Sequence, residues 1–307
     1  MMRRLLALVL VLGIGCAAPG RSKGDGGTLP GHLRTVFFIL LENANWSDVK
    51  GSQDAPYINK TLLPMGAHAE NYFNPPGNHP SLPNYIWLEA GSNLGITNDN
   101  DPVANHQSTT LHLATLLNNA GVTWRSYQED IPGTNCPLTS VAGYRPKHNP
   151  FVFFDDLTAD LNPVAPDCIS HNRPLTQLAT DLADGTVAQY NFITPNICHD
   201  GHDSCAPENN KLKQADDWLS GNVPTILASP AYLNDGVIFI TWDESEGGDF
   251  PVGFIALSPL AKKGYAGQVA YTHSSTLRSL EEIFGVSPLI RDAANAKDLS
   301  DLFTSFP

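Results

Sequence analysis

Two short acidic segments stand where apolar runs end. The run TVFFILL over 35–41 leads into Glu42-Asn43, and the run VIFITW over 237–242 leads into Asp243-Glu244. Either one alone reads as a helix cap or a solvated loop. If the two runs are neighbouring strands, their carboxylates converge and repel unless a divalent cation sits between them, and oxygen donors suit a hard one. Taken together, Glu42, Asn43, Asp243 and Glu244 form a candidate metal site. Between them in the chain lies Asn78-His79-Pro80-Ser81-Leu82-Pro83-Asn84-Tyr85, with Ser81 at a predicted helix start and Pro83 at an early helical position. An N-cap explains Ser81 by itself. A serine at a helix N-terminus is also an activated nucleophile site, because the dipole and free N–H groups favour the alkoxide and bind an incoming phosphate.

The densest polar cluster is Cys198-His199-Asp200-Gly201-His202-Asp203-Ser204-Cys205. Two histidines and two aspartates in so short a loop point to metal ligation by His202 or Asp203, or to acid catalysis by a histidine. Lys147-His148-Asn149 and Tyr271-Thr272-His273 are lesser candidates, and His32, His68, His106, His112 and His171 carry no assignment. Gly247-Gly248-Asp249-Phe250 spells a cyclic-dinucleotide synthase signature, but a four-letter match after a strand in an exported chain is discarded. So are the glycosylation sequons at Asn45 and Asn59.

The elements that must carry these residues follow from pattern. Five short runs rich in β-branched and aromatic residues, at 35–41, 122–127, 187–193, 237–242 and 253–257, read as buried parallel strands. Helical patterns lie at 56–65, 81–89, 109–120, 175–183, 209–228 and 274–284. This alternation predicts an α/β fold, a three-layer α/β/α sandwich with a mostly parallel central sheet. Chemistry in such sheets gathers at the carboxyl ends of the strands. The segment 130–172, with six prolines, resists assignment and reads as a lid or a substrate-binding excursion.

At the start, Met1-Met2-Arg3-Arg4 and an apolar stretch over 5–15 form a signal peptide too short to span a bilayer. It ends at Gly15-Cys16-Ala17, which marks Cys16 as a candidate for lipidation and a membrane tether, with a plain secretory signal as the alternative. Residues 16–31 read as a flexible tether and 32–307 as a single domain. Setting Cys16 aside leaves Cys136, Cys168, Cys198 and Cys205, an even number in an oxidising compartment. Three connectivities exist. Cys198 with Cys205 and Cys136 with Cys168 is favoured because the first pair closes a short polar loop, and structural zinc is the alternative. The formal charge of −13, from 18 Lys+Arg against 31 Asp+Glu, argues against a nucleic-acid partner.

Several multi-residue blocks in order give a resemblance: Glu42-Asn43, Ala55-Pro56-Tyr57-Ile58-Asn59, the block from His79 to Tyr85, Gly91-Ser92, Glu129-Asp130, Lys147-His148-Asn149-Pro150, Pro195-Asn196, His202-Asp203, Thr241-Trp242-Asp243-Glu244 and His273. From about Thr35 to Val286 the chain resembles the bacterial phosphoesterase family of secreted acid phosphatases and phospholipase C enzymes. That family lies within the alkaline-phosphatase-like superfamily, and the short acid phosphatase branch is the nearest in length. The resemblance implies that Glu42, Asn43, Asp243 and Glu244 hold one divalent metal ion (calcium, zinc, iron or manganese), with Ser81 completing its shell as the nucleophile. The family's second acidic position is often Asp, where this chain has Glu244. It further implies that His148, His202 and Asp203 surround the phosphoryl group and that Lys147 neutralises its oxygens. The expected activity is that of an exported, metal-dependent acid phosphatase acting on small phosphate esters or phosphoinositides through a phosphoserine, with a histidine acid giving an acidic optimum. A phospholipase C-type phosphodiesterase and a non-catalytic surface lipoprotein are the alternatives. Oligomeric state is not legible.

Overall fold

A computed structural model of the chain describes residues 32–307. The signal peptide, the Cys16 lipidation site and the 16–31 tether lie outside the described residues. Eight strands form one sheet: β1 (Thr35–Leu41), β2 (Ala67–Phe73), β3 (Trp124–Gln128), β4 (Asn172–Pro174), β5 (Tyr190–Thr194), β6 (Gly236–Trp242), β7 (Phe254–Leu257) and β8 (Tyr265–Thr272). Their order is β4-β3-β5-β1-β6-β7-β2-β8. Every pairing is parallel except those of β7, which runs against both β6 and β2. The helices that matter to the site are α1 (Ser81–Ala90), α2 (Leu113–Ala120), α3 (Leu178–Ala183), α4 (Lys211–Leu227) and α5 (His273–Phe284).

The central strands are apolar almost without interruption, since helices cover both faces of the sheet and no position faces water. β1 is buried from Val36 through Leu41, and β6 along its whole length. The edge strand β8 behaves differently, burying only Gly267 and Tyr271... among alternating exposed residues, as an edge with one covered face does. α5 starts on a capping box between Thr272 and Ser275 and stops at Gly285, whose φ of 62° is the left-handed C-cap that glycine supplies without strain. α1 ends in the same way at Gly91, where a Cβ would also collide with the Ile290 carbonyl.

Five predicted strands are present, with two corrections. The segment predicted at 253–257 is antiparallel, and β2, β4 and β8 were not expected because polar residues such as His68, Glu70 and Gln268 interrupt their apolar pattern. The predicted helix over 56–65 is present, with a π-helical stretch, Ile58–Leu62, in its middle and an α-helical turn, Leu63–Met65, at its end. The cysteines pair as favoured, Cys136 with Cys168 and Cys198 with Cys205. The proline-rich excursion is tied by the first of these bridges and presents two 3-10 turns, Pro146–His148 and Pro150–Phe153, both packed inward. Among the described residues, no helix is long and apolar enough to cross a membrane.

Candidate active site

The register between β1 and β6 decides where the acids go. Leu41 pairs with Trp242 in a parallel ladder, so Glu42 and Asp243 emerge side by side one residue later. The ladder is extended by the Asp243 N–H donating to the Leu41 carbonyl (2.9 Å), and the Glu42 N–H donates to the Asp200 carbonyl (2.8 Å) beyond β5. Glu42, Asp200 and Asp243 are all fully buried. The Asn43 N–H donates to Asp243 Oδ1 (3.1 Å) and its Nδ2 to Glu244 Oε1 (2.9 Å).

Ser81 opens α1 and is itself 2% exposed. Its Oγ donates to Glu42 Oε2 at 2.8 Å, and Lys147 Nζ stands 3.5 Å from the same Oγ. Lys147 is held from its other side by Asp99 (3.0 Å), which also accepts from the Leu82 N–H in the first turn of α1. His148 lies between two carboxylates, with Nε2 3.3 Å from Glu42 Oε1 and Nδ1 3.2 Å from Asp200 Oδ2, and Tyr85 stacks on its ring at 5.3 Å.

The electrostatics follow from this crowding. Burial raises the Glu42 carboxyl, but the charges of His148 and Lys147 outweigh it and hold the group down at about 2. Burial lowers His148, yet Glu42 and Asp200 bring it up to about 9, so the ring is an imidazolium at neutral pH. Lys147 is raised despite its burial by Glu42, Asp99 and Asp243. For Asp243 the Lys147 charge is outweighed: burial pushes its carboxyl well up, and the charges of Glu42 and Glu244 push it further. Asp200 is raised too, first by burial.

Two buried polar atoms here have neither a hydrogen-bond partner nor an ion pair, Asn43 Oδ1 and Asp243 Oδ2, whereas Glu42 Oε1, Asp200 Oδ2 and His148 Nε2 are met by the ion pairs of His148. Native structures leave few such atoms, and each calls for a physical reason. Among the described residues, no three His, Cys, Asp or Glu side chains make a closed metal cluster. The donors that fit a hard cation are two carboxylates, Glu42 and Asp243, with the Asn43 amide oxygen and the Ser81 hydroxyl.

The sequence-predicted residues therefore separate. Glu42, Asn43, Ser81, Lys147, His148 and Asp243 come together. Glu244 stands beside them with both oxygens engaged, Oε1 by Asn43 and Oε2 by His79 Nδ1 and, at 3.5 Å, by Asn84. His202 sits at the rim, its ring 6.2 Å from that of His148 and one-third exposed, with Nδ1 on Asp203 Oδ1 (2.7 Å). Asp203, half exposed, meets His202 and not the centre. Sequence reasoning missed Asp200, Asp99, His79 and Tyr85. Asp200 had a signal in the polar cluster around it, whereas Asp99 lies in an undistinguished Asn/Asp run.

Residues 43–287 match the model of the Phosphoesterase family, a span that contains every member of this site except Glu42. The chain belongs to the Phosphoesterase family. Within that family it is similar to a phosphate-repressible acid phosphatase of Penicillium chrysogenum, 29% identical over 263 residues that cover 82% of this chain and 59% of the fungal protein. It is also similar to a phosphatidylinositol-3-phosphatase of Mycobacterium tuberculosis, 28% identical over 271 residues that cover 87% of this chain and 82% of that one. The chain thus spans under two-thirds of the Penicillium relative's length. Among solved structures, an alkaline phosphatase superfamily protein from Vibrio parahaemolyticus matches with a TM-score of 0.55 at 10% identity, covering 86% of this chain and 70% of that one. The murine ectonucleotide pyrophosphatase/phosphodiesterase 5 matches with a TM-score of 0.55 at 11% identity, covering 89% of this chain and all of that one. The fold of this family member is that of the alkaline phosphatase superfamily.

Proposed function

We propose that the protein is an exported, metal-dependent acid phosphatase that hydrolyses phosphate monoesters through a phosphoserine at Ser81. The observation that carries this reading is the Ser81 hydroxyl, donating at 2.8 Å to a buried, ionised Glu42 with the Lys147 ammonium 3.5 Å away. The similarity to proteins named acid phosphatase and phosphatidylinositol-3-phosphatase supports it. Export is supported by the two disulfides, which persist in oxidising compartments.

Glu42, Asn43 and Asp243, with the Ser81 oxygen, would hold the divalent ion. When bound, it would supply Lewis-acid stabilisation of the serine oxygen and of a phosphate oxygen. The rest falls to the chain. Glu42 accepts the Ser81 hydrogen bond, which sets the direction of the Oγ lone pairs, takes that proton as the Oγ attacks phosphorus, and returns it to the serine oxygen when the phosphoserine is hydrolysed. Lys147 offers charge to the alkoxide and to the non-bridging phosphate oxygens. His148, pinned between Glu42 and Asp200, keeps Glu42 ionised. His202, oriented through Nδ1 by Asp203, protonates the leaving alcohol as the Ser81 Oγ–P bond forms and the ester P–O bond breaks. It then takes a proton from the water that attacks the phosphoserine, and Ser81 leaves as the inverse of its entry.

The test is turnover of p-nitrophenyl phosphate against p-nitrophenyl phosphorylcholine, with wild type and Ser81→Ala, before and after chelation. Expected are preference for the monoester, loss of at least about 10³-fold in Ser81→Ala, and chelator-sensitive activity restored by one metal. An active Ser81→Ala protein removes the nucleophile from its role; preference for the diester replaces the monoesterase reading with a phosphodiesterase.

A further inference from the structure

Lys147 reaches the site on a long stem, and its backbone does not by itself decide where the charge stands. A lysine ammonium sits on a flexible four-carbon chain with three rotatable donors, so its place depends on what accepts from it. Two groups do so here, Ser81 Oγ at 3.5 Å and Asp99 Oδ2 at 3.0 Å. Among the described residues, Asp99 is the one acid in ion-pair contact with this ammonium. Asp99 is anchored in turn to the nucleophile's helix: its Oδ1 accepts from the Leu82 N–H at 3.0 Å, in the first turn of α1 directly after Ser81. Its exposed neighbours Asn98 and Asn100 are tied down by the buried Asn105, whose Nδ2 donates to Asn98 Oδ1 (2.8 Å) and to the Asn100 carbonyl (3.0 Å). One half-buried carboxylate thus joins the start of α1 to the 3-10 turn Pro146–His148.

We propose that Asp99 is a positioning residue: it holds the first turn of α1 with one oxygen and the Lys147 ammonium with the other, and so sets that charge beside the Ser81 hydroxyl. The inference rests on the reading of Ser81 as the nucleophile. A carboxylate suits the task because it accepts on both oxygens, so the helix start and the ammonium are fixed against the same group. The opposite role would be that of a competitor. The Leu82 N–H and the Lys147 ammonium are donors that an incoming phosphate could use, and an acid that merely occupied them would slow the reaction. The two roles differ in sign: removing the charge of a positioning residue lowers turnover, whereas removing that of a competitor raises it.

The experiment is a double-mutant cycle on the full-length protein. kcat and KM for p-nitrophenyl phosphate are measured for wild type, Asp99→Asn, Lys147→Met and the double variant, under one set of buffer and metal conditions. The asparagine keeps an oxygen for the Leu82 N–H and turns toward the ammonium an NH₂ group, which cannot accept. Asp99→Asn should lower kcat/KM by about 10-fold with Lys147 present and by less than about 2-fold in the Lys147→Met background, as side chains coupled by contact do. The loss should fall on kcat rather than KM, the pattern of a charge that acts on the reacting oxygens. Asp99→Ser, whose hydroxyl can still accept from the Leu82 N–H, should behave as Asp99→Asn and gives the cycle a second uncharged variant. A merely structural role would give the same loss in both Lys147 backgrounds. That result, or a rise in kcat/KM on loss of the charge, overturns the positioning role and, with Ser81→Ala inactive, leaves the proposed function standing. An active Ser81→Ala protein overturns the site reading itself.

Discussion

Glu89, at the far end of α1 from Ser81, gives a prediction that is independent of the catalytic centre. Its side chain is fully buried, with Oε1 accepting from the Tyr190 hydroxyl (2.9 Å) and Oε2 without a hydrogen-bond partner. Burial raises its carboxyl from 4.5 to about 8, with the Tyr190 hydrogen bond only partly opposing the shift. The folded protein therefore keeps a proton that the unfolded chain releases above about pH 4.5. The sign follows: this contribution to stability is complete below that pH and is lost as pH rises toward about 8. At 1.36 kcal/mol per unit, the part lost between pH 5 and 7.5 is about 3 kcal/mol. For a chain of this size that is roughly 6 °C in Tm. Glu281, also raised by burial, to about 7, slopes in the same direction, so the wild type should be more stable in mild acid.

Glu89→Gln isolates the term, since the amide keeps an acceptor for Tyr190 and cannot ionise. Thermal unfolding of both proteins at half-unit steps from pH 5 to 7.5, in one ionic strength and without metal, gives the comparison. The Tm difference, wild type minus variant, should fall by roughly 6 °C across that range. Parallel curves would refute the reasoning, because they would mean that Glu89 titrates alike in the folded and unfolded chain.

Two further substitutions separate the roles at the site. Lys147→Met should lower kcat/KM for p-nitrophenyl phosphate by about 10²-fold, the scale of losing one preorganised charge on a reacting oxygen; an effect under about 3-fold would place Lys147 outside phosphate contact. His202→Gln should slow alkyl phosphates by about 10²-fold, while p-nitrophenyl phosphate, whose leaving group needs no proton, shows a burst of p-nitrophenolate before slow steady-state turnover. Equal losses on both substrates with no burst would count against His202 as the acid.

How far the sequence could be read depended on which faces were covered. β1 and β6 are buried on both sides, so their apolar runs end almost where the strands end, and the acids that follow were legible as strand-end residues. β2 and β8 carry His68, Glu70, Asn71 and Gln268 because one is flanked by the short antiparallel β7 and the other is an edge, and a pattern search tuned to continuous apolar runs passes over both. The pairing of Glu42 with Ser81 required the β1–β6 register and the start of α1 together, and neither alone shows it. His79 was visible two residues before the serine, but its partner Asp249 lies 170 residues on.

The acids and the cations of the site have different origins, and this bears on why the proline-rich excursion is built as it is. Glu42, Asp200 and Asp243 are fixed by the sheet: they follow β1, β5 and β6 and are fully buried. Burying an ionised group costs several kcal/mol unless it is paired. The pairing cations, Lys147 and His148, arrive from the 130–172 excursion in a single 3-10 turn, within a segment of short turns and short helices. A segment of that kind has much chain entropy to lose on folding. The Cys136–Cys168 bridge closes a loop of 32 residues around it, which removes about 4 kcal/mol of that freedom from the unfolded chain. Buried Asn149 adds further fixing, donating from Nδ2 to the Tyr144 hydroxyl (3.2 Å) and to Asn172 Oδ1 (2.8 Å). The bridge therefore acts on the site although neither cysteine touches it: it makes the arrival of the two cations cheap enough to hold three buried acids in place.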